Sequence, residues 1–303
     1  MTKSPKDIGA SVRARLLRLA RERGEDFQLL LTRYANERLL YRLASSEHGS
    51  HFVLKGAALF TLWTGAPHRA TRDVDLLGFG DPSEDQIRSV FADVLAVEVD
   101  DDGVRFDAGT LAVGPIREEQ EYGGVRVLLA AQVSGARVRL QIDIGFGDAI
   151  TPEAVLVDFP ALLDFPAPKL HAYPRETVVA EKLEAMVKLG QANTRMKDFY
   201  DLAALSQTFA FEGALLVRAI AATFGRRGTP LPSGLPVALT AEFTEDPPKN
   251  TQWRAFLRKS GAPSPGDLRK VAATIARFVE EPLTAAAAGA TFTKRWPPGG
   301  PWT

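Results

Sequence analysis

The chain has 303 residues, 45% hydrophobic and 24% charged, with 37 Lys and Arg against 37 Asp and Glu; this suits one large or two modest domains around a real core. The absence of cysteine excludes a disulfide scaffold and thiolate-bound zinc. Charges interrupt every apolar run before it reaches a membrane span, and the opening residues lack a signal-peptide core, so a cytoplasmic protein is expected.

The balanced charge is unevenly spread. Arg13, Arg15, Arg18, Arg21, Arg23, Arg33, Arg38 and Arg42 crowd the N-terminal part, and acids dominate residues 81–121. Lys249, Arg254, Arg258, Lys259, Arg269, Lys270, Arg277, Lys294 and Arg295 crowd the C-terminal part. Basic ends suit a partner bearing phosphates, although solvated helix faces account equally well for any single cluster. Apolar residues at helical spacing predict helices over residues 7–24 and 26–45, with arginines placed to follow an RNA backbone. Residues 51–54 then start a strand.

The rest of the chain is organised around residues 54–77. Lys55-Gly56-Ala57 reads as a tight turn, residues 58–63 as a short helix, and residues 64–67 as its stop. Asp73 and Asp75 follow on a strand, where alternation sends both to one face and Val74 and Leu76 to the other. Two like charges held so close are costly unless a cation lies between them, and hard oxygen ligands suit Mg²⁺ (or Mn²⁺). The glycine turn offers backbone N–H groups to a phosphate. Together these features read as a metal–nucleotide site, whereas the two acids alone would also suit a solvated strand end.

Ser83 caps a helix through residue 96, and short strands are expected at residues 97–99, 104–106 and 125–131, with a turn at 133–136. Strict alternation over residues 137–148 places Arg137, Arg139, Gln141 and Asp143 on one face, making Asp143 the candidate third carboxylate. Residues 151–173, rich in proline, read as a connection. The helix at 177–189 carries Lys182 at the edge of its apolar stripe, able to lift an ammonium into a cleft. Asp198 and Asp201 share the next helix face, near Arg195 and Lys197. Further helices are expected at 207–225, around Trp253 and at 264–278. The final residues, about 290–303, read as a disordered tail. His48, His51, His68 and His171 show no ligand spacing. The domains expected are 1–160, catalytic, and 161–303, helical.

The Gly turn, the following Asp-x-Asp strand, Ala180-Glu181-Lys182 and the pattern R-x-K-D-x-x-D-L from Arg195 resemble the AbiEii/MenT-type nucleotidyltransferases, toxins of type IV toxin–antitoxin and phage-abortive systems. These are similar in turn to the polymerase-β-like superfamily. The resemblance implies an α+β fold: a nucleotidyltransferase-like mixed sheet with flanking helices and a mainly helical C-terminal half. It implies Asp73, Asp75, Lys182 and Asp198 as catalytic residues, with Asp198 either positioning the incoming hydroxyl or fixing Lys182, and Asp143 either completing the metal site or activating the acceptor. Lys55, Gly56, Ala57, Arg69, Thr71, Arg195 and Lys197 would contact the nucleotide. The superfamily has Gly-Ser where this chain has Gly56-Ala57, so Arg69 and Thr71 are candidates to supply the missing donors. Some relatives carry a lysine where this chain has Gln141. The implied reaction moves a nucleoside monophosphate from an NTP to the 3′ end of tRNA, opposed by a DNA-binding antitoxin. Modification of a protein hydroxyl and a non-catalytic nucleotide- or RNA-binding regulator are the alternatives.

Overall fold

A computed structural model describes residues 7–116 and 124–303; residues 1–6 and part of the acidic stretch, 117–123, lie outside the described residues. The chain divides into two compact units, Met1–Gly147 with Val155–Ala172, and Asp148–Ala154 with Tyr173–Thr303.

The first unit opens with α1 (Ile8–Arg23) and α2 (Phe27–Ser45), whose first turns are capped by the carboxylates of Asp7 and Asp26. There follow β1 (Phe52–Lys55), α3 (Ala58–Thr64), β2 (Asp73–Gly78) and α4 (Glu84–Ala96), then β3 (Val104–Pro115), β4 (Val125–Val133) and β5 (Ala136–Phe146). Two short strands, β6 (Val155–Asp158) and β7 (Lys169–Ala172), complete a sheet of order β3-β4-β5-β2-β1-β7-β6. The pairs β2/β5 and β1/β7 are parallel and the others antiparallel. Leu54, Val74, Leu76, Val127, Ile142 and Ile144 are buried in its core.

Three expectations change here. Residues 151–173 are more than a connection, because β7 pairs with β1 through Val53↔His171 and Leu54↔Ala172 and carries β6 with it. These strands are four residues long with prolines between them, too short to show a period. Residues 97–99 form no strand and leave α4 as an extended segment. The arginines of α2 do not present themselves to RNA. Arg42 is buried against Asp102 at 2.7 Å, Arg38 lies against Glu37 and donates to the Pro166 carbonyl, and Arg33 pairs with Glu25. Arg13, Arg18 and Arg21 of α1 remain exposed.

The second unit is helical: α5 (Arg175–Leu189), α6 (Met196–Thr208), α7 (Gly213–Arg227), the short α8 (Ala241–Thr244), α9 (Pro247–Ser260) and α10 (Leu268–Ala288). Helices α5 and α10 both pack on α6 and α7. Helix α10 runs past residue 278, through Pro282 and the alanines, and closes at Gly289 with φ 61°. The C-terminal segment, expected to be disordered, is instead packed. Strand β9 (Arg295–Trp296) pairs with β8 (Phe211–Glu212), and Trp296 donates its indole N–H to Ser206 O at 2.7 Å. Trp302 stacks on Phe278 at 5.9 Å and donates to its carbonyl. Two large apolar rings outweigh the Pro/Gly composition around them. Among the described residues no helix is long and apolar enough to cross a membrane.

Candidate active site

Alternation along β2 buries Val74 and Leu76 and leaves Asp73 and Asp75 half-buried on the other face. Parallel pairing with β5 sets Asp75 beside Asp143 and Asp73 beside Gln141. Antiparallel pairing sets Lys55 of β1 beside Asp75, and Arg126 of β4 beside Asp143. Four adjacent strands thus carry one row, Arg126–Asp143–Asp75–Lys55, with two acids in the middle and a cation at each end.

Asp73, Asp75 and Asp143 each offer a carboxylate oxygen, and these oxygens lie within 4.8 Å of one another. Three half-buried carboxylates this close suit a divalent cation with a preference for oxygen, because the cation cancels their repulsion. Arg126 grips Asp143 with both ends of its fork, Nε to Oδ1 at 2.7 Å and Nη2 to Oδ2 at 2.8 Å. The Gln141 amide also donates to Oδ2. A carboxylate held by a bidentate arginine cannot swing. Oδ1, receiving one donor, keeps a lone pair for a ligand.

The turn before α3 is built around the acids. Gly56 has φ +74°, and a Cβ placed on it would overlap the Asp75 carboxylate, 2.6 Å from Cγ and 2.7 Å from Cβ. Only glycine lets the turn lie this close to β2. Ala57 is buried and Lys55 half-buried. Thr71 does not point its hydroxyl away to a phosphate; it donates to Asp73 Oδ1 at 2.7 Å. The Asn36 amide holds the carbonyl of Arg72, fixing the entry to β2 from α2. Arg69 is half-buried in the same loop.

Lys182, Asp198, Arg195 and Lys197 all belong to the helical unit. Lys182 Nζ reaches from α5 to two acids of α6, Asp198 Oδ1 at 2.7 Å and Asp201 Oδ2 at 2.9 Å. Arg195 Nε adds 2.7 Å to Asp198 Oδ2. Both acids are fully buried. Burial pulls the lysine down, but Asp198 and Asp201 outweigh it and hold the ammonium above the ordinary lysine range. Burial likewise pushes Asp198 up, and Lys182 and Arg195 overcome it to hold the carboxyl below its ordinary value. Lys197 is exposed on α6.

Sequence reasoning missed three features. Arg126 was findable: Ser134 and Gly135, both at positive φ, make a two-residue hairpin turn. Pairing Val133 with Ala136 then puts Arg126 opposite Asp143. Arg227, joined to Asp148, Glu181 and Glu184 at 2.8, 3.3 and 2.8 Å, gave no local signal because its partners come from separate segments. The histidines, without ligand spacing in sequence, nonetheless include His48, which gathers with Glu47 and with Asp93 of α4 into a second group of possible ligands.

The chain matches the family described as nucleotidyl transferase AbiEii toxin, type IV TA system, over residues 38–277. No curated protein matches it. Two crystal structures from Helicobacter pylori, one of a candidate nucleotidyltransferase and one of JHP933, share 15% identity and a TM-score of 0.49 each. Both cover 87% of this chain, and the matched region spans 94% and 91% of theirs. A match running from α2 into α10, through both units, makes the chain a member of the AbiEii nucleotidyl transferase toxins of type IV toxin–antitoxin systems.

Proposed function

We propose that this nucleotidyltransferase is metal-dependent and moves a nucleoside monophosphate from an NTP to the 3′-hydroxyl of tRNA, halting growth in the cytoplasm until a cognate antitoxin intervenes. The observation carrying the metal reading is the convergence of Asp73, Asp75 and Asp143 within 4.8 Å. Asp73 and Asp75 would hold Mg²⁺ or Mn²⁺, with the lone pair of Asp143 Oδ1 completing the set. Bound there, such a cation supplies Lewis-acid stabilisation of the triphosphate and of the entering and leaving oxygens.

The chain's own groups do the positioning. Thr71 fixes the rotamer of Asp73, Arg126 fixes Asp143, and Gly56 lets the turn close over Asp75. Lys55 and the backbone of Gly56 and Ala57 are assigned to the phosphates, with Arg69 beside them. Lys182, kept charged by Asp198 and Asp201, is assigned to the charge that grows on the triphosphate. Arg195 and Lys197 are further phosphate donors in this reading. The tRNA acceptor follows from the family resemblance and suits the exposed Arg13, Arg18 and Arg21 of α1. Phage defence is the setting in which such a toxin and a repressor-type antitoxin would act.

Each α-³²P-labelled NTP, incubated with Mg²⁺ and total tRNA, tests the reading. Label on tRNA that disappears with EDTA and with Asp73→Ala supports it. Label on protein instead would redirect the acceptor to a protein hydroxyl, and no label on either would overturn the reading.

A further inference from the structure

A cavity of about 70 Å³ lies within the sheet unit between α2, α3 and residues 159–162, and it is lined by Asp73 of the carboxylate cluster and by Thr71, which bonds Asp73. Its walls are largely apolar, with Leu40, Val74, Phe159 and Leu162 among them. Two buried acceptors on adjacent residues interrupt that surface. The Asn36 amide nitrogen must face the Arg72 carbonyl, since only a donor can serve it, which leaves Oδ1 buried without a hydrogen-bond partner. Glu37 is 1% exposed; its Oε2 accepts from Leu162 N at 2.7 Å, and its Oε1 is buried without a hydrogen bond, 3.2 Å from Arg38 Nη2. Glu37 Oε1 has the Arg38 guanidinium beside it, but Asn36 Oδ1 is orphaned, and an orphaned buried acceptor beside a void calls for a donor that enters from outside.

The chemistry of that donor is restricted. Arg23 and Arg33 line the cavity opposite in charge to Glu37 and Asp73, and this balance favours a neutral group over an ion. A neutral group bearing N–H bonds supplies the donor that Asn36 Oδ1 lacks and leaves an apolar ring against the walls. An exocyclic amino group of a nucleobase has this form. A ring carbonyl in its place would meet Asn36 Oδ1 lone pair to lone pair. The volume admits an edge of the ring rather than a whole base.

We propose that this cavity reads the amino-bearing edge of a nucleobase presented next to Asp73, either the base of the NTP or the terminal base of the acceptor. The inference rests on the nucleotidyl-transfer reading for its location but not for its test, which measures binding. The affinity of the full chain for CTP and UTP is compared by calorimetry, and that for short oligoribonucleotides ending in C or U by fluorescence anisotropy, both well above pH 7 so that the Glu37 carboxyl is ionised. One of the two arms favours the cytidine form by about tenfold, and the arm that does so names the source.

Glu37→Gln keeps an oxygen for Leu162 N and turns a donor towards the cavity. It lowers the cytidine preference at least threefold or reverses it towards uridine. Ala58→Leu, on a half-exposed position of α3 lining the same cavity, removes the preference by filling the space. Equal affinities in both arms, or a preference that both variants leave intact, would overturn the inference and mean that the cavity holds water only. Base preference without any transfer would instead sink the reaction while sparing the cavity.

Discussion

Carboxylates are used in opposite ways by the two units. On the sheet, Asp73, Asp75 and Asp143 are half-buried side by side, with their ligand oxygens within 4.8 Å. In the helical unit, Asp198 and Asp201 are fully buried around a single ammonium, and Arg195 closes the far side of Asp198. The first group keeps like charges together at a cost that a bound cation offsets; the second is neutralised from within. Removing an acid should therefore harm activity in one place and folding in the other.

The largest effects divide along that line. Asp75→Asn should lower labelled-nucleotide transfer on the order of 10³-fold while thermal unfolding moves by no more than a few degrees, because a like-charge contact is relieved. Asp198→Ala should cost about 3–5 kcal/mol in denaturant unfolding, since it strips a buried ammonium of a partner. A pH series sharpens the contrast. The folded pKa of Asp198 lies below the ordinary 3.8, so its contribution is present above that value and lost as the pH falls through the folded pKa. Equal destabilisation by Asp75→Asn and Asp198→Ala would break the comparison.

Much of this division was legible in the sequence, and the reason lies in local periodicity. Alternation alone put Asp73 and Asp75 on one face and nominated Asp143, and helical spacing put Asp198 beside Asp201. Pairings set by tertiary structure were not legible. Of the two acids that hold Lys182, Asp198, 16 residues away, was suggested as its partner only through the family resemblance, and Asp201, 19 residues away, was not suggested at all. The arginines of α2 read as a nucleic-acid surface until Asp102, Glu25 and Glu37 turned out to face them. The strands β6 and β7 and the tryptophan-anchored C-terminus depend on partners far along the chain, so composition pointed the wrong way.

Glu37 offers a third kind of carboxylate, buried beside Arg38 yet left short of hydrogen bonds. Burial, only partly offset by Arg38, pushes its carboxyl from 4.5 up to about 7. A raised folded value means the folded state binds the proton more tightly, so this contribution is full below pH 4.5 and is lost as the pH rises through about 7. Glu37→Gln should flatten the fall in stability between those values, with a difference from the parent chain of up to about 3 kcal/mol. Parallel pH–stability curves for the two proteins would show that the carboxylate is ionised without penalty.

A smaller effect on folding than that of Asp198→Ala should come from Gly56, and it separates geometry from charge. Alanine at φ +74° costs about 1–2 kcal/mol, which a chemical-denaturation midpoint will register. The new methyl also enters the volume of the Asp75 carboxylate, so either the turn or the acid must move. Displacement of a reacting group by about 1 Å costs on the order of 10² in rate, more than the strain alone would suggest. Gly56→Ala should thus lose transfer activity out of proportion to stability, with the loss in kcat rather than in KM. If activity falls only in step with the folded fraction, then the turn does not position Asp75, and the close approach of β2 to residue 56 is a packing requirement alone.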